Sequence, residues 1–465
     1  MSGAPGEKKT ALDRFLGLFG DVRAGEAWTA VLLMFNLFFL LTGYLIIKTV
    51  REPLILAGGG AEIKSYASAG QALLLFLIVP AYGFLASKIN RIKLITWVTL
   101  FFISNLIVFY VLARWGVAIG VVFFLWVGIF NLFVVAQFWS FANDLYSQEQ
   151  GKRLFGIVAF GGSVGAIVGP RLAARLLQPL GVFELLLVAG AILGICILIT
   201  NIVHARARDQ AAETKDHAEK PLGKEGGFKL VVTQRYLFLI ALLIIVLNLV
   251  NTTGEYILGK IVTQEARQKV VDAERQAAAS GATTLLSEGE RKRIEQKFIG
   301  NFYGNFYFWV SLLSAGIQLL IVSRILKSIG AAALLVLPCI ALGGYFLIAA
   351  FPVLSYIRAA KILENATNYS LQNTTHQSLF LPTSRETKYK AKAAIDTFFV
   401  RAGDVASAMF VFLGAQLALS VSTFASINIV MAAVWIFLAI GIVRQYKTLS
   451  LARSLGGGER VRFLR

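Results

Sequence analysis

The sequence predicts an all-α polytopic membrane protein of about twelve transmembrane helices in two groups of six. Three observations lead there. Of its 465 residues 57% are hydrophobic and only 15% are charged, and the mean hydropathy is +0.69, far from the balance of a soluble domain. Apolar runs of about 20 residues, the length that crosses a ~30 Å hydrocarbon core, recur along nearly the whole chain. Lysine and arginine gather in alternate connections between those runs, the asymmetry that orients a chain in a membrane.

The elements follow in order. The opening MSGAPGEKKTALDRF has no short apolar core followed by a small-residue cleavage site. No removable signal peptide is therefore expected, and residues 1–28 are read as a cytoplasmic segment. The first six spans are expected at 29–50, 65–87, 92–113, 117–142, 154–177 and 182–203, an N-terminal bundle over 29–203. The second six are expected at 236–259, 301–323, 329–350, 353–376, 393–417 and 422–444, a C-terminal bundle over 236–444. Between them a polar stretch at 204–235 has the low hydrophobicity of a linker. An insert at 260–300, rich in both signs of charge, reads as a solvent-exposed helical hairpin on the extracytoplasmic side, and 445–465 as a cytoplasmic tail. Cations on the cytoplasmic side include Lys88, Arg91, Lys93, Lys152, Arg153, Arg324, Lys327, Arg385, Lys388, Lys390, Lys392 and Arg444, whereas 178–182, 351–352 and 418–421 carry none. Both termini are thus expected in the cytoplasm, with the chain in the inner membrane. The same bias accounts for the net charge of +19 without a nucleic-acid partner.

Charge inside the spans is the sharpest local signal, because an ionisable group at depth is costly unless it faces a cavity or a partner. At the end of the first span, YLIIKTVREPLI sets Tyr44, Lys48 and Arg51 on one helical face with Glu52 beside them. Snorkelling to the interface and an anion site are both open for it. In the tenth span, SYIRAAKILENATNYSLQNTTHQ places Arg358, Lys361, Asn365, Asn368 or Tyr369, Gln372 and His376 along one stripe, with Glu364 a partner for Lys361 at i+3. That stripe is expected to line a pathway. The seventh span carries Asn248, Asn251, Thr252 and Glu255, and the eleventh carries Asp396, Arg401 and Asp404, the last two spaced to pair internally. In the fifth span Gly161, Gly165 and Gly169, four apart, make a smooth face for close helix packing. Only three histidines occur, two of them in the linker, and Cys196 and Cys339 fall in apolar runs. No catalytic residue, metal site, disulfide framework or cofactor is expected.

Two six-span halves suit a transporter of parallel repeats. GFLASKINRIKLI (83–95) partly resembles the loop signature of the major facilitator superfamily, with Ser87 and Asn90 at its acidic and glycine positions, and SRILKSIGAAALL (323–335) echoes it in the second half. Further segments resemble the ATP/ADP translocase family of plastids and intracellular bacteria. FWSFANDLYSQEQGKRLF (138–155) is similar to that family's Phe-Trp-x-Phe-Ala-Asn segment and Lys-Arg sequel through Phe138, Trp139, Phe141, Ala142, Asn143, Lys152 and Arg153. YLIIKTVREPLI, FIGNFYGNFYFW and NYSLQNTTHQSLFLPTSRETKYKAKAAID resemble further family segments, with Arg51 at a substrate-associated lysine. Asn251 stands where the family has a glutamate, His376 and Gln377 where it has a Lys-Glu pair, and Asn365 and Asn368 where it has lysines.

The resemblance implies a major-facilitator-like carrier exchanging nucleotides or a related phosphorylated anion by alternating access, not an enzyme. Substrate contacts are expected from Lys48, Arg51, Asn143, Asn251, Arg358, Lys361, Asn365, Tyr369 and His376, and gating or charge pairing from Glu52, Glu255, Asp396 and Arg401. The expected partners are a small anionic substrate and the lipid bilayer. Two alternatives stand beside this reading: a transporter of another organic anion, proton-coupled through Glu255 or His376, and a transport-inactive scaffold or sensor that uses the 260–300 insert.

Overall fold

In the computed structural model, residues 22–23, 25–86, 91–146, 148–210, 227–280, 286–380, 383, 387 and 391–454 are described. Most of residues 1–28, the centre of the linker, the end of the tail, and Lys88, Arg385, Lys388 and Lys390 lie outside the described residues.

Among the described residues every regular element is helical. The helices are α1 (Ala27–Ala86), α2 (Arg91–Arg114), α3 (Gly120–Leu145), α4 (Gln148–Leu176), α5 (Glu184–Gln210), α6 (Gly227–Thr233), α7 (Arg235–Ala279), α8 (Glu288–Ile317), α9 (Ser323–Ile329), α10 (Val336–Ala350), α11 (Leu354–Thr367), α12 (Asn373–Ser378), α13 (Lys392–Ala394), α14 (Val400–Gln416) and α15 (Val421–Ser454). Wide π-helical turns at Gln318–Val322, Asn368–Gln372 and Ile395–Phe399 join α8 to α9, α11 to α12 and α13 to α14.

Nine helical stretches among the described residues are long and apolar enough to cross a membrane. Two of them, Ala27–Ile78 and Glu288–Ala350, each hold two of the expected spans. The tenth span is not one of the nine, because Arg358, Lys361 and Glu364 interrupt its apolarity. Twelve spans are accounted for in this way, so the all-helical polytopic class stands. The first two run together in α1, broken where Gly60 takes φ 75° and ψ −175°. A side chain rarely tolerates that φ, so glycine marks the break.

The chain forms two units, one of residues 1–58, 75–217 and 266–308 and the other of 59–74, 218–265 and 309–465. In the first, α2 packs along α5, and aromatic rings of α2 and α3 make its core. Trp126 stacks on Phe123 and Phe130 at 5.5 and 5.4 Å and meets Phe102 and Phe109 edge-on at 5.6 and 5.5 Å. Its Nε1 donates to Asn105 Oδ1 at 3.0 Å, so the ring is buried without an unsatisfied donor. Asn36 of α1 donates to Thr200 Oγ1 of α5 at 2.7 Å, a cross-helix bond that lipid rewards because no water competes for it. In the second unit α10 packs along both α15 and α11.

The glycine face of α4 finds its partner in α1. A methyl group added at Gly161 or Gly165 would run into the carbonyl oxygens of Met34 and Phe38, and one at Gly169 would lie 2.7 Å from that of Thr42. Three glycines four apart thus meet three carbonyls four apart, backbone against backbone.

Where α1 begins, Arg153 clamps Glu26: Nη1 and Nη2 donate to its two carboxylate oxygens at 2.9 Å each. Burial raises the Glu26 pKa, but this fork, the Arg23 amide and Gln150 more than offset it and leave it below the usual 4.5. A folded-state value that is depressed contributes stability above the ordinary pKa and loses it as pH falls through the folded value. Glu26→Gln is therefore expected to lower stability by about 1 kcal/mol at pH 7, discounted for screening at this surface position. Thermal unfolding of the detergent-purified protein should show the gap between wild type and variant closing below about pH 4.

Candidate functional site

The end of the first span builds a cationic cluster inside the first unit. Arg51 is held by its neighbour Glu52, its Nε donating to Oε1 at 3.1 Å, while its guanidinium lies 4.5 Å over the Phe124 ring of α3. Glu52 is fully buried and also accepts from Tyr307 OH of α8 at 3.0 Å. Lys48 Nζ sits 4.5 Å over the ring of the same Tyr307. Two cations and one carboxylate thus stand on a single helix end. The aromatic faces stabilise the cations away from water. Tyr307 lies in FIGNFYGNFYFW, a segment whose tyrosine sequence reasoning did not single out.

The second unit holds a different balance. Lys361 of α11 is fully buried, with Nζ 2.8 Å from Glu364 and 3.8 Å from Glu255, and donates to Asn251 Oδ1 at 3.1 Å. Asn365 donates to Glu255 at 2.9 Å. Tyr345 of α10 donates to the Val250 carbonyl at 3.0 Å and approaches Glu364 at 3.3 Å. One cation meets two carboxylates here, so the Lys361 charge is used inside the protein. A second pair stands on α14, where Arg401 donates to Asp404 at 3.0 Å and Thr252 of α7 approaches the other oxygen at 3.3 Å.

Beyond α11 the polar stripe breaks. A single face from Arg358 to His376 assumes a regular helix, but the π-helical turn at Asn368–Gln372 adds a residue to the winding and shifts the phase. Lys361 and Asn365 accordingly enter the ion-pair cluster, whereas Asn368, Tyr369, Gln372, Asn373 and His376 line a cleft of about 460 Å³ with Asn248 of α7 and Asp396 of the next π-helical turn. Asp396 Oδ1 lies 3.7 Å from His376 Nε2, and its Oδ2 accepts from Lys392 at 2.7 Å. Arg358 is half-buried on α11, and Asn143 is exposed near the end of α3. Most of the expected residues therefore fall in three neighbourhoods, while Arg401 pairs with Asp404 on α14. Gln372, Glu364, Tyr345 and Lys392 complete these neighbourhoods. The stripe spacing pointed to Gln372, but no local pattern marks Tyr345.

A chain of long apolar helices, with ion pairs and a polar cleft among them, has the architecture of a polytopic membrane protein. Its fold is similar over 90% of its length to a bacterial homologue of the iron transporter ferroportin in an inward-facing state (TM-score 0.62, 12% identity, 98% of that chain). It is likewise similar over 90% to the nucleoside transporter NupG (TM-score 0.58, 13% identity, 99% of that chain). At such identities the likeness is one of fold. Residues 307–449 match the family model described as TLC ATP/ADP transporter. ADP,ATP carrier protein 1 of Chlamydia trachomatis is 25% identical over 340 residues, 64% of this chain and 56% of that relative. The Chlamydia pneumoniae carrier of the same name is 22% identical over 347 residues, 65% of this chain and 59% of that relative. The chain spans little more than half the length of these curated relatives. The resemblance to ATP/ADP translocases carried by the motifs is borne out, and this chain is a distant relative of those carriers.

Proposed function

We propose that the protein is a secondary transporter of the ADP,ATP carrier type, exchanging nucleotides or a related phosphorylated anion across the bacterial inner membrane, with both termini in the cytoplasm. The observation that carries this reading is the cluster of Lys48, Arg51, Glu52 and Tyr307, which gathers a guanidinium and an ammonium at one helix end inside a helix bundle. A fork and a point charge together suit a polyphosphate. The curated relatives are named as ADP,ATP carriers, which supports the same substrate class. Arg358 supplies a further cation on α11, and Asn251, Asn365, Tyr369 and His376 supply polar contacts in the second unit.

The test is reconstitution in liposomes with labelled ATP outside. Uptake is expected only with ADP or ATP inside, and its absence for every nucleotide under exchange conditions overturns the reading. Because Glu52 is fully buried, Arg51→Ala would strand a carboxylate and mix stability with binding. Lys48→Gln is the cleaner variant: one lost charge-assisted contact of about 2 kcal/mol weakens ATP binding roughly 30-fold.

A proton-coupled transporter of another organic anion is the second reading, favoured by the approach of His376 to Asp396 at 3.7 Å beside the cleft. It requires uptake driven by an inwardly directed proton gradient with no internal counter-substrate.

A further inference from the structure

The cleft bounded by α7, the tenth span and the turn at Ile395–Phe399 differs chemically from the cationic clusters. Among the described residues no lysine or arginine lines it directly, although Lys392 donates to the lining Asp396 at 2.7 Å. Its polar wall is made mainly of side-chain amides (Asn248, Asn368, Gln372, Asn373 and Gln377) and its apolar wall of Ile244, Leu247 and Val400. Asp396 adds a carboxylate, and Tyr369 adds a half-exposed ring. Because Lys392 pairs with the Asp396 carboxylate, the described lining is close to neutral, and its many amides suit a neutral, planar, hydrogen-bonding group. The volume of about 460 Å³ falls within the roughly 300–1,000 Å³ of small-molecule sites.

Gln372 stands out in that wall with both amide atoms unmatched, beside His376, whose Nε2 is also buried without a hydrogen-bond partner. Gln372 is 2% exposed, and its amide oxygen and amide nitrogen are both buried. A buried polar group left unmatched is costly, and cores almost always avoid it. Asn248, by contrast, spends its donor on the Ile244 carbonyl at 2.8 Å. Gln372 also closes the π-helical turn Asn368–Gln372, and Asp396 lies in the turn Ile395–Phe399, so irregular winding borders the cleft on two sides. Such turns cost helix regularity and concentrate at functional positions.

We infer that this cleft receives the nucleobase of the transported nucleotide and that Gln372 is its specificity-determining residue. A rotation of the side chain presents one donor and one acceptor side by side. That is the complement of a base edge carrying an adjacent acceptor and donor, the geometry in which glutamine reads adenine. The ring of Tyr369 supplies an apolar face beside it. The inference rests on the nucleotide reading above and adds to it a base site separate from the phosphate cations.

The experiment uses the full chain in detergent or nanodiscs and compares ATP, adenosine and inorganic tripolyphosphate as ligands of wild type and Gln372→Leu. ATP and adenosine binding should each fall about tenfold in the variant, the loss of one bidentate contact, while tripolyphosphate binding stays unchanged. An equal fall for all three, or no change for adenosine, overturns the assignment. Photolabelling of the wild type with 8-azido-ATP is independent of the variant's folding: label on the peptide spanning 368–377 supports the base site, and label confined to other segments overturns it. Wild-type protein that binds neither ATP nor tripolyphosphate refutes the nucleotide reading. Adenosine binding that is lost in Gln372→Leu would then still support the cleft as a base site, and no adenosine binding overturns that too.

Discussion

Gly165→Val is expected to destabilise the first unit by about 3 kcal/mol or more, at the upper end for over-packed cores. The reason is the partner. At Gly165 the added carbon meets the Phe38 carbonyl, and a backbone atom in mid-helix has no rotamer into which to retreat. Relief requires α4 and α1 to separate, which also pulls Gly161 and Gly169 from Met34 and Thr42. Dispersion between closely apposed backbones is a main source of helix association in lipid, where apolar burial contributes little. The control lies on the same helix: nothing stands within 4 Å of a methyl at Gly156. Gly156→Ala should be neutral or stabilising by up to about 1 kcal/mol through helix propensity. Thermal unfolding of detergent-purified protein compares the two, and equal effects would refute close packing as the cause.

Lys361→Met is expected to cost about 3–5 kcal/mol, the range for removing one partner of a buried ion pair. Lys361 has no exposed surface, and Glu364 is 4% exposed. Without the ammonium, the buried Glu364 carboxylate is left with the Tyr345 hydroxyl and the partly exposed Glu255 carboxylate around it. Replacing both partners, as in Lys361→Met/Glu364→Leu, should recover most of the loss, because an apolar pair of similar volume has no uncompensated charge. Denaturation midpoints of the single and double variants measure the coupling. If the single variant costs less than about 1 kcal/mol, the ion pair is solvated and the charge is available to a ligand. Lys48→Gln carries the opposite expectation, a large effect on ATP binding and a small one on stability.

Much of the architecture was legible along the chain because membrane folds obey one-dimensional rules. A span must be apolar for about 20 residues, so counting such runs finds nearly all of them. The glycine spacing of α4 was equally plain, since every fourth residue falls on one face. Glu364 three residues after Lys361, and Asp404 three after Arg401, announced their pairs for the same reason. The partners across helices were not legible: nothing local says that Gly165 meets Phe38, or that Tyr307 bonds Glu52 across 255 positions. Spacing arguments assume 3.6 residues per turn, and the π-helical turn at Asn368–Gln372 divides the tenth-span stripe between an ion-pair cluster and a cleft, both beside α7.

By itself, then, the sequence determined the helical class, the number of spans, the cationic end of the first span and the resemblance to nucleotide carriers. Those features depend on composition and spacing within single helices. Only the tertiary structure decided which groups meet: Lys361 lies beside two carboxylates at 2.8 and 3.8 Å, while Arg51 pairs with Glu52 and Lys48 lies over the Tyr307 ring. It also brought the amides of two separate segments, and the carboxylate of a third, around one cleft, with Gln372 among them. Electrostatic balance and cavity chemistry depend on distances in space, and segments more than a hundred residues apart in the chain set those distances.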